Sequence, residues 1–253
     1  MTWPDMCITP LKVEAVMNRT GSCTHVGRRE NNEDALLIDE DMGLFAVADG
    51  IGGHCGGEVA SRLAVETLRD CLSSSSGAED TVDIESMLRH ALREVVRQIA
   101  RQSVGDLGEM ATTLSAVLVI DGIAHVVHVG DSRVYLLRAG RLSQISRDHS
   151  LVNELRQAVG EVVTPSMEFE LGHIVTQYIG AGHVPSPDIE RVQVHPGDRL
   201  LICSDGLSDI LSDTEIREQL TRQSVSEVAE DLVWDAYNQG GHDNISAVVV
   251  HVS

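Results

Sequence analysis

The apolar runs at residues 114–120 and 123–129 are separated only by Asp121-Gly122. A two-residue connection of this composition is a tight hairpin, so the two runs must lie side by side as antiparallel strands. Ala139-Gly140 follows the run at 134–137 as a second turn of the same kind. Further β-like runs stand at 36–38, 44–48, 200–203 and 245–250. The segment 84–99 has a different period: apolar residues at 84, 87, 88, 91, 92, 95, 96 and 99 form the stripe of an amphipathic helix. Val225, Val228, Ala229, Leu232, Val233, Ala236 and Tyr237 repeat that spacing before the Gly240-Gly241 stop. A further helix carries Val59, Leu63 and Leu68. Regular βαβ alternation is missing, so the pattern predicts an α+β sandwich, an antiparallel sheet covered by helices.

The chain is 253 residues long, enough to bury about 70% of the surface an unfolded chain exposes. We expect one domain over 1–253, with 1–11 as an N-terminal extension. The stretch from Ser73 to Ser76, followed by Gly77, reads as a loop between two helices. A formal charge of −20 disfavours nucleic acid and anionic membranes as partners and makes cations plausible ones. With aromatics at only 3%, there are few platforms on which bases could stack. The five cysteines contain no C-x-x-C pair, which suggests neither a disulfide framework nor a zinc knuckle. Neither a membrane span nor a signal peptide is evident, so the expectation is a soluble cytoplasmic protein.

Aspartates recur where apolar runs meet turns: Asp49 ends LFAVAD, Asp131 ends HVVHVGD, Asp205 ends LLICSD and Asp243 precedes ISAVVV. Asp34 opens ALLI. In an antiparallel sheet the end of one strand lies beside the start of its neighbour, so these acids can share one rim. Carboxylates gathered there repel one another unless cations sit among them, and hard oxygen ligands favour Mg²⁺, Mn²⁺ or Ca²⁺ over zinc. Any one of these aspartates could be an ordinary turn residue. Five in matching contexts point further.

Three other motifs fail on inspection. Gly50-x-Gly52 follows a strand as a dinucleotide fingerprint would, but Cys55 takes the third glycine position and Asp49 would repel a pyrophosphate. His54-Cys55 is followed by Arg62, one residue too late for a cysteine-phosphatase loop. Asp39, Asp41 and Gly43 lack the closing glutamate of an EF-hand.

The ordered set Arg29-Glu30-Asn31-Asn32-Glu33-Asp34, Asp49-Gly50-Ile51-Gly52-Gly53-His54, Gly130-Asp131-Ser132-Arg133, Asp148-His149-Ser150, Cys203-Ser204-Asp205-Gly206-Leu207 and Gly241-His242-Asp243-Asn244 resembles the PP2C (PPM) family of metal-dependent serine/threonine protein phosphatases in its bacterial form. The resemblance extends from about Val13 to Val252. It implies a four-layer α-β-β-α sandwich with two central antiparallel sheets. It also implies two Mn²⁺ or Mg²⁺ ions in a core site: Asp49 bridging both, Asp205 and Asp243 completing one, the Gly50 carbonyl on the other, and Asp34 acting largely through water. Glu33 would orient those waters from behind. Arg29, five residues before Asp34, matches the phosphate-binding and catalytic arginine; Arg28 is its decoy. Asp131 with Asp205, and Asp209 unless it is simply a helix cap, match the positions of a third, weaker metal.

The same resemblance implies hydrolysis of phosphoserine and phosphothreonine by a water or hydroxide held between two ions, with Arg29, Asp34 and Asp49 as the catalytic set and Cys55 a bystander. The implied partners are a phosphorylated protein and a cognate Ser/Thr kinase system; separately, the lack of an obvious exposed apolar helix favours a monomer. Departures occur at Ile51, where animal members carry histidine, in Met110-Ala111-Thr112-Thr113, and at Gln177 before Ile179-Gly180. The flap, 151–187, contains Arg156 as its sole arginine or lysine, which points to a specific protein partner over broad action on phosphopeptides.

Overall fold

The computed structural model describes residues 19–51, 56–75, 83–105, 110–160, 163–180, 182–183, 185–222 and 224–253. The expected extension 1–11, together with Gly52, Gly53, His54, Cys55 and Gly77, lies outside them. In chain order the elements are β1 (Arg19–His25), β2 (Asp34–Asp39), β3 (Leu44–Ile51), α1 (Gly56–Ser75), α2 (Ile84–Gln102), β4 (Ala111–Thr112), β5 (Leu114–Ile120), β6 (Ile123–Val129), β7 (Arg133–Arg138), β8 (Arg141–Gln144), α3 (Leu151–Val159), α4 (Pro165–Leu171), β9 (Ile179–Gly180), β10 (Asp188–Gln193), β11 (Arg199–Cys203), α5 (Asp205–Ser208), α6 (Asp213–Leu220), α7 (Val225–Asn238) and β12 (Ile245–His251).

Two sheets form the centre. One has five strands in the order β1-β12-β11-β7-β8; the other has seven, β10-β6-β5-β3-β4-β9, with β2 paired to β3. All named pairs are antiparallel, including β5 with β6 across Asp121-Gly122 and β7 with β8 across Ala139-Gly140. Asp121 and Ala139 sit at positive φ, 50° and 49°, the twist a two-residue hairpin requires.

Alternation along each strand builds the layers. On β3, Leu44, Ala46 and Ala48 pack under α1 and α2, whereas Phe45 and Val47 face the other sheet. On β12, Ile245, Ala247 and Val249 pack under α7, and Val248 and Val250 face inward. Both faces of these strands are covered, which is why they read as continuous apolar runs. The result is helices, sheet, sheet, helices: the four-layer α+β sandwich.

The stripe at 84–99 lies on α2, whose Leu88, Ala91, Leu92, Val95 and Ile99 are buried. Asp83 caps it, accepting from Glu85 N and Ser86 Oγ. One expectation is corrected. Ser73, Ser74 and Ser75 are not loop but the last turn of α1. Ser73 and Ser74 turn their hydroxyls back onto the carbonyls of Arg69 and Asp70 at 2.8 Å, so the helix continues through residues that favour turns. Among the described residues no helix is long and apolar enough to cross a membrane.

Candidate functional site

The β2–β3 register sets Asp34 directly opposite Asp49. In the other sheet Cys203 pairs with Ala247, so Asp205 just beyond β11 and Asp243 just before β12 come to the same edge. Ser204 joins the two sheets there. Its Oγ accepts from Ser246 N at 3.0 Å and donates to Asp34 Oδ2 at 2.9 Å. The acids that finish strands and the acids that begin them therefore share one rim.

Burial and mutual repulsion dominate the electrostatics. Desolvation, with Asp205 and Asp243 adding to it, raises Asp34 to about 7 against the hydrogen bonds from Ser246 and Ser204. Asp49 is raised well above its ordinary value by burial and then by Asp34, Asp205, Asp131 and Asp243. Burial and Asp205 raise Asp131 to about 8. Asp205 rises to about 6 through burial, Asp209 and Asp243, and a hydrogen bond with the Asp49 carboxyl holds it back.

The donor set fits hard divalent cations. Asp34 Oδ1 and Asp205 Oδ1 are buried with no hydrogen-bond partner, in a chain where buried polar atoms are normally paired. Among the described residues no three His, Cys, Asp or Glu side chains close into a finished cage. Mg²⁺ in particular keeps several waters and takes one or two carboxylates. An open rim of carboxylates suits that demand; a tight tetrahedral zinc cage would not be made from it.

Backbone contacts hold the rim in place. Thr113 Oγ1 accepts from Asp49 N at 2.9 Å, while Thr112 Oγ1 and Thr113 N both donate to Asp49 O. Gly50 N donates to Glu33 O at 3.1 Å. A Cβ on Gly50 would stand 2.4 Å from the Gly57 carbonyl, so only glycine lets α1 approach this closely. Asn244, 4% exposed, pins the loop before β2. Its Nδ2 donates to Val26 O and Asn31 O, both at 2.9 Å, and its Oδ1 accepts from Glu33 N at 2.8 Å. Glu33, next to Asp34 in the chain, is partly buried, its carboxyl raised by desolvation against the pull of Arg29.

Arg29 reaches the rim: its Nη2 stands 2.6 Å from Asp243 Oδ2, with the arginine side chain 60% exposed. Asp243 raises the guanidinium further, by hydrogen bond and by charge, with smaller contributions from Asp205 and Asp49. Arg28 is exposed beside it. Asp131 is buried within the influence of Asp205 and Asp209. Asp209 ends α5, and the N-cap of α6 is Ser212. Two of the motifs clasp each other: Arg133 bonds Asp148 at 2.7 Å, and Gly130 N donates to His149 Nδ1 at 3.1 Å. Arg62 pairs with Glu58 at 3.4 Å within α1, and His54 and Cys55 lie outside the described residues. In the flap, Arg156 is held by Glu168 at 2.6 Å, joining α3 to α4.

A rim of part-buried aspartates beside an arginine, at the meeting edge of two sheets, agrees with a profile of protein phosphatase 2C that matches residues 23–238. The chain belongs to the protein phosphatase 2C family. It is 36% identical over 224 residues to the serine/threonine protein phosphatase PstP of Mycobacterium tuberculosis, covering 88% of this chain and 43% of PstP. It therefore spans under half the length of that relative. The serine/threonine phosphatase stp of Listeria monocytogenes is 36% identical over 232 residues, 88% of this chain and 90% of the relative. The crystal structure of Mycobacterium tuberculosis PstP superposes with a TM-score of 0.84 at 36% identity, covering 93% of this chain and 99% of that one. A PstP catalytic domain in complex with two manganese ions superposes at 0.77 with 35% identity, covering 92% of this chain and 97% of that one.

Sequence reasoning assigned no role to Ser204, Asn244, Thr112 or Thr113 within these 2C-family motifs, although all stand in the quoted motifs. Their signal was composition: small hydroxyl and amide side chains beside each aspartate, able to bond backbone and carboxylate over short reach.

Proposed function

We propose that this chain hydrolyses phosphoserine and phosphothreonine in proteins with two divalent ions, Mn²⁺ or Mg²⁺, and that it opposes a bacterial Ser/Thr kinase in the cytoplasm. The observation that carries the reading is the pair of buried, unpartnered oxygens, Asp34 Oδ1 and Asp205 Oδ1, on a rim that also presents Asp49, Asp243 and Arg29. Family membership and the manganese-bound relative support it.

In this reading Asp49, Asp205, Asp243 and the Gly50 carbonyl would hold the core ions, Asp34 would act through water, and Asp131 with Asp205 would hold a third. Bound there, the ions would supply a water acidic enough to attack phosphorus near neutral pH, together with positive charge for the phosphoryl oxygens. The chain's own residues do the rest. Ser204 orients Asp34, so that one carboxylate oxygen is fixed and the other is directed into the rim. Glu33, anchored through its backbone by Gly50 and Asn244, holds the water network from behind. Arg29 bonds Asp243 through Nη2 and has further donors in its planar fork for phosphate oxygens. Ile51 is apolar and donates no proton, so no side-chain general acid stands at that position.

The test is phosphate release from a phosphothreonine peptide with Mn²⁺, with Mg²⁺ and with excess EDTA, for wild type and Asp205→Asn. Metal-dependent activity that collapses in the variant supports the reading. Folded wild type inactive with both ions leaves a phosphoprotein-binding domain; faster turnover of simple metabolite esters than of the peptide moves the substrate class to small molecules.

A further inference from the structure

Aromatic side chains make up only 3% of this chain, yet two of them stand with a histidine at one corner of the rim. His25 lies 5.0 Å from Trp234 and 4.6 Å from Tyr237, ring centre to ring centre, and Trp234 meets Tyr237 edge-on at 5.7 Å. Tyr237 packs against the core under α7, so the group is anchored from below. Trp234, held by both neighbours, remains 47% exposed. A large rigid ring fixed this way loses little freedom on binding a ligand.

The surroundings are acidic. α7 carries Glu227, Glu230, Asp231 and Asp235 and no basic residue. Asp231 is paired with Arg222 and Asp235 bonds Gln219. Glu227 and Glu230 lie on the same exposed helical line as Trp234, and neither enters an ion pair among the described residues. An exposed indole one helical turn from Glu230 and about two turns from Glu227 offers a face and charge suited to an organic cation.

The corner is continuous with the rim. Gly27 N donates to His25 Nδ1 at 2.9 Å. Gly27, at φ +63°, lies so close to Asp243 that a Cβ would come within 1.8 Å of its carbonyl oxygen. Asp243 in turn bonds Arg29. The C-terminal end of α7 is tied to the same place, Gly241 N donating to Ala236 O at 3.0 Å.

We infer that the Trp234 corner docks a lysine or arginine side chain of the phosphorylated polypeptide, a few residues from the phosphate. This rests on the phosphatase reading and adds a substrate class to it: phosphoprotein segments with a flanking basic residue, complementary to a chain of net charge −20. The indole supplies a cation–π face, and Glu227 and Glu230 supply charge.

The experiment uses the Mn²⁺-loaded full chain and two phosphothreonine peptides. They differ only in lysine or norleucine at positions within about four residues of the phosphothreonine, the reach of an extended segment at about 3.3 Å per residue. Wild type should show a KM about three- to ten-fold lower for the lysine peptide at equal kcat. The gap should close in about 1 M NaCl, where the Debye length is about 3 Å. Trp234→Ala should bring the ratio near one, and Trp234→Phe should keep most of it. The double variant Glu227→Gln/Glu230→Gln, which leaves the ring cluster intact, should also narrow it, and carries the test if Trp234→Ala does not fold. Equal KM values in wild type, or a lysine preference that persists in both the Trp234→Ala and the Gln variants, overturns the inference while leaving the phosphatase reading standing. Wild type that hydrolyses neither peptide overturns both.

Discussion

Asp34 and Asp49 are register partners across the β2–β3 pair, two carboxyl groups opposed at the buried end of a sheet. Like charges directly opposite are destabilising in any antiparallel pair, and here burial adds to the repulsion.

Stability of the metal-free protein should therefore fall as pH rises. The folded state keeps Asp205, Asp34 and Asp131 protonated up to about 6, 7 and 8, whereas the unfolded chain releases those protons near the ordinary value of 3.8. Between these limits the native state binds more protons than the unfolded state, so the slope of unfolding free energy against pH is negative. Thermal unfolding in EDTA should show a midpoint at least about 4 °C higher at pH 5.5 than at pH 8. A flat profile would mean that the rim carries no such repulsion.

Asp205→Asn should act in opposite directions on stability and on activity. Removing one buried charge relieves its neighbours, so the melting temperature in EDTA rises at pH 8. The stabilisation that Mn²⁺ gives to wild type should be lost or much reduced, and kcat/KM should fall by about 100-fold or more. A variant that melts lower in EDTA at pH 8 would contradict this account of the rim.

Ser204→Ala should weaken Mn²⁺ binding by about 10–100-fold, because the hydroxyl that fixes Asp34 Oδ2 is gone. Ser204→Thr keeps the hydroxyl and should restore much of the affinity. Titration calorimetry on the metal-free protein reads this without recourse to activity; equal affinities in wild type and the alanine variant would remove Ser204 from the rim's support.

Arg29→Ala should lower kcat/KM for a phosphothreonine peptide by about 10–100-fold, and Arg29→Lys should recover only part of it, since an ammonium cannot present a planar fork. Arg28→Ala, one position away and exposed, should stay within about two-fold of wild type. Equal losses at both positions would mean a diffuse positive field and not a specific contact.

Asn244→Ala should remove the side-chain partner of the part-buried carbonyl of Val26, of the N–H of Glu33 and of the more exposed carbonyl of Asn31. A loss of about 1–3 kcal/mol is expected, read by urea unfolding. Hydrogen exchange should rise first at Glu33 and Asp34; protection unchanged there would show that the loop is held by other contacts.

Local period decided a good deal before any contact was known. The hairpins at Asp121-Gly122 and Ala139-Gly140, the stripe of α2 and the apolar strands β5, β6 and β12 are all visible, because burial on a helix or strand repeats at 3.6 or 2 residues. The ordered motifs likewise carried the family and pointed to the aspartates. β1, β10, α3, α4 and α6 were not visible: β1 and β10 are edge strands with mixed polarity, and the three helices are short. The serines at the end of α1 depart from the expected loop, since the hydroxyls of Ser73 and Ser74 bond helical carbonyls one turn back.

Tertiary structure alone decided which oxygens on the rim are left over. That Ser204 spends its hydroxyl on Asp34, 170 residues earlier, and that Asn244 clamps a loop more than 200 residues before it, follows from how two sheets meet. The same meeting brings His25 beside Trp234. Periodicity records which face of an element is buried but not which element covers it, and the chemistry of this site depends on that second fact.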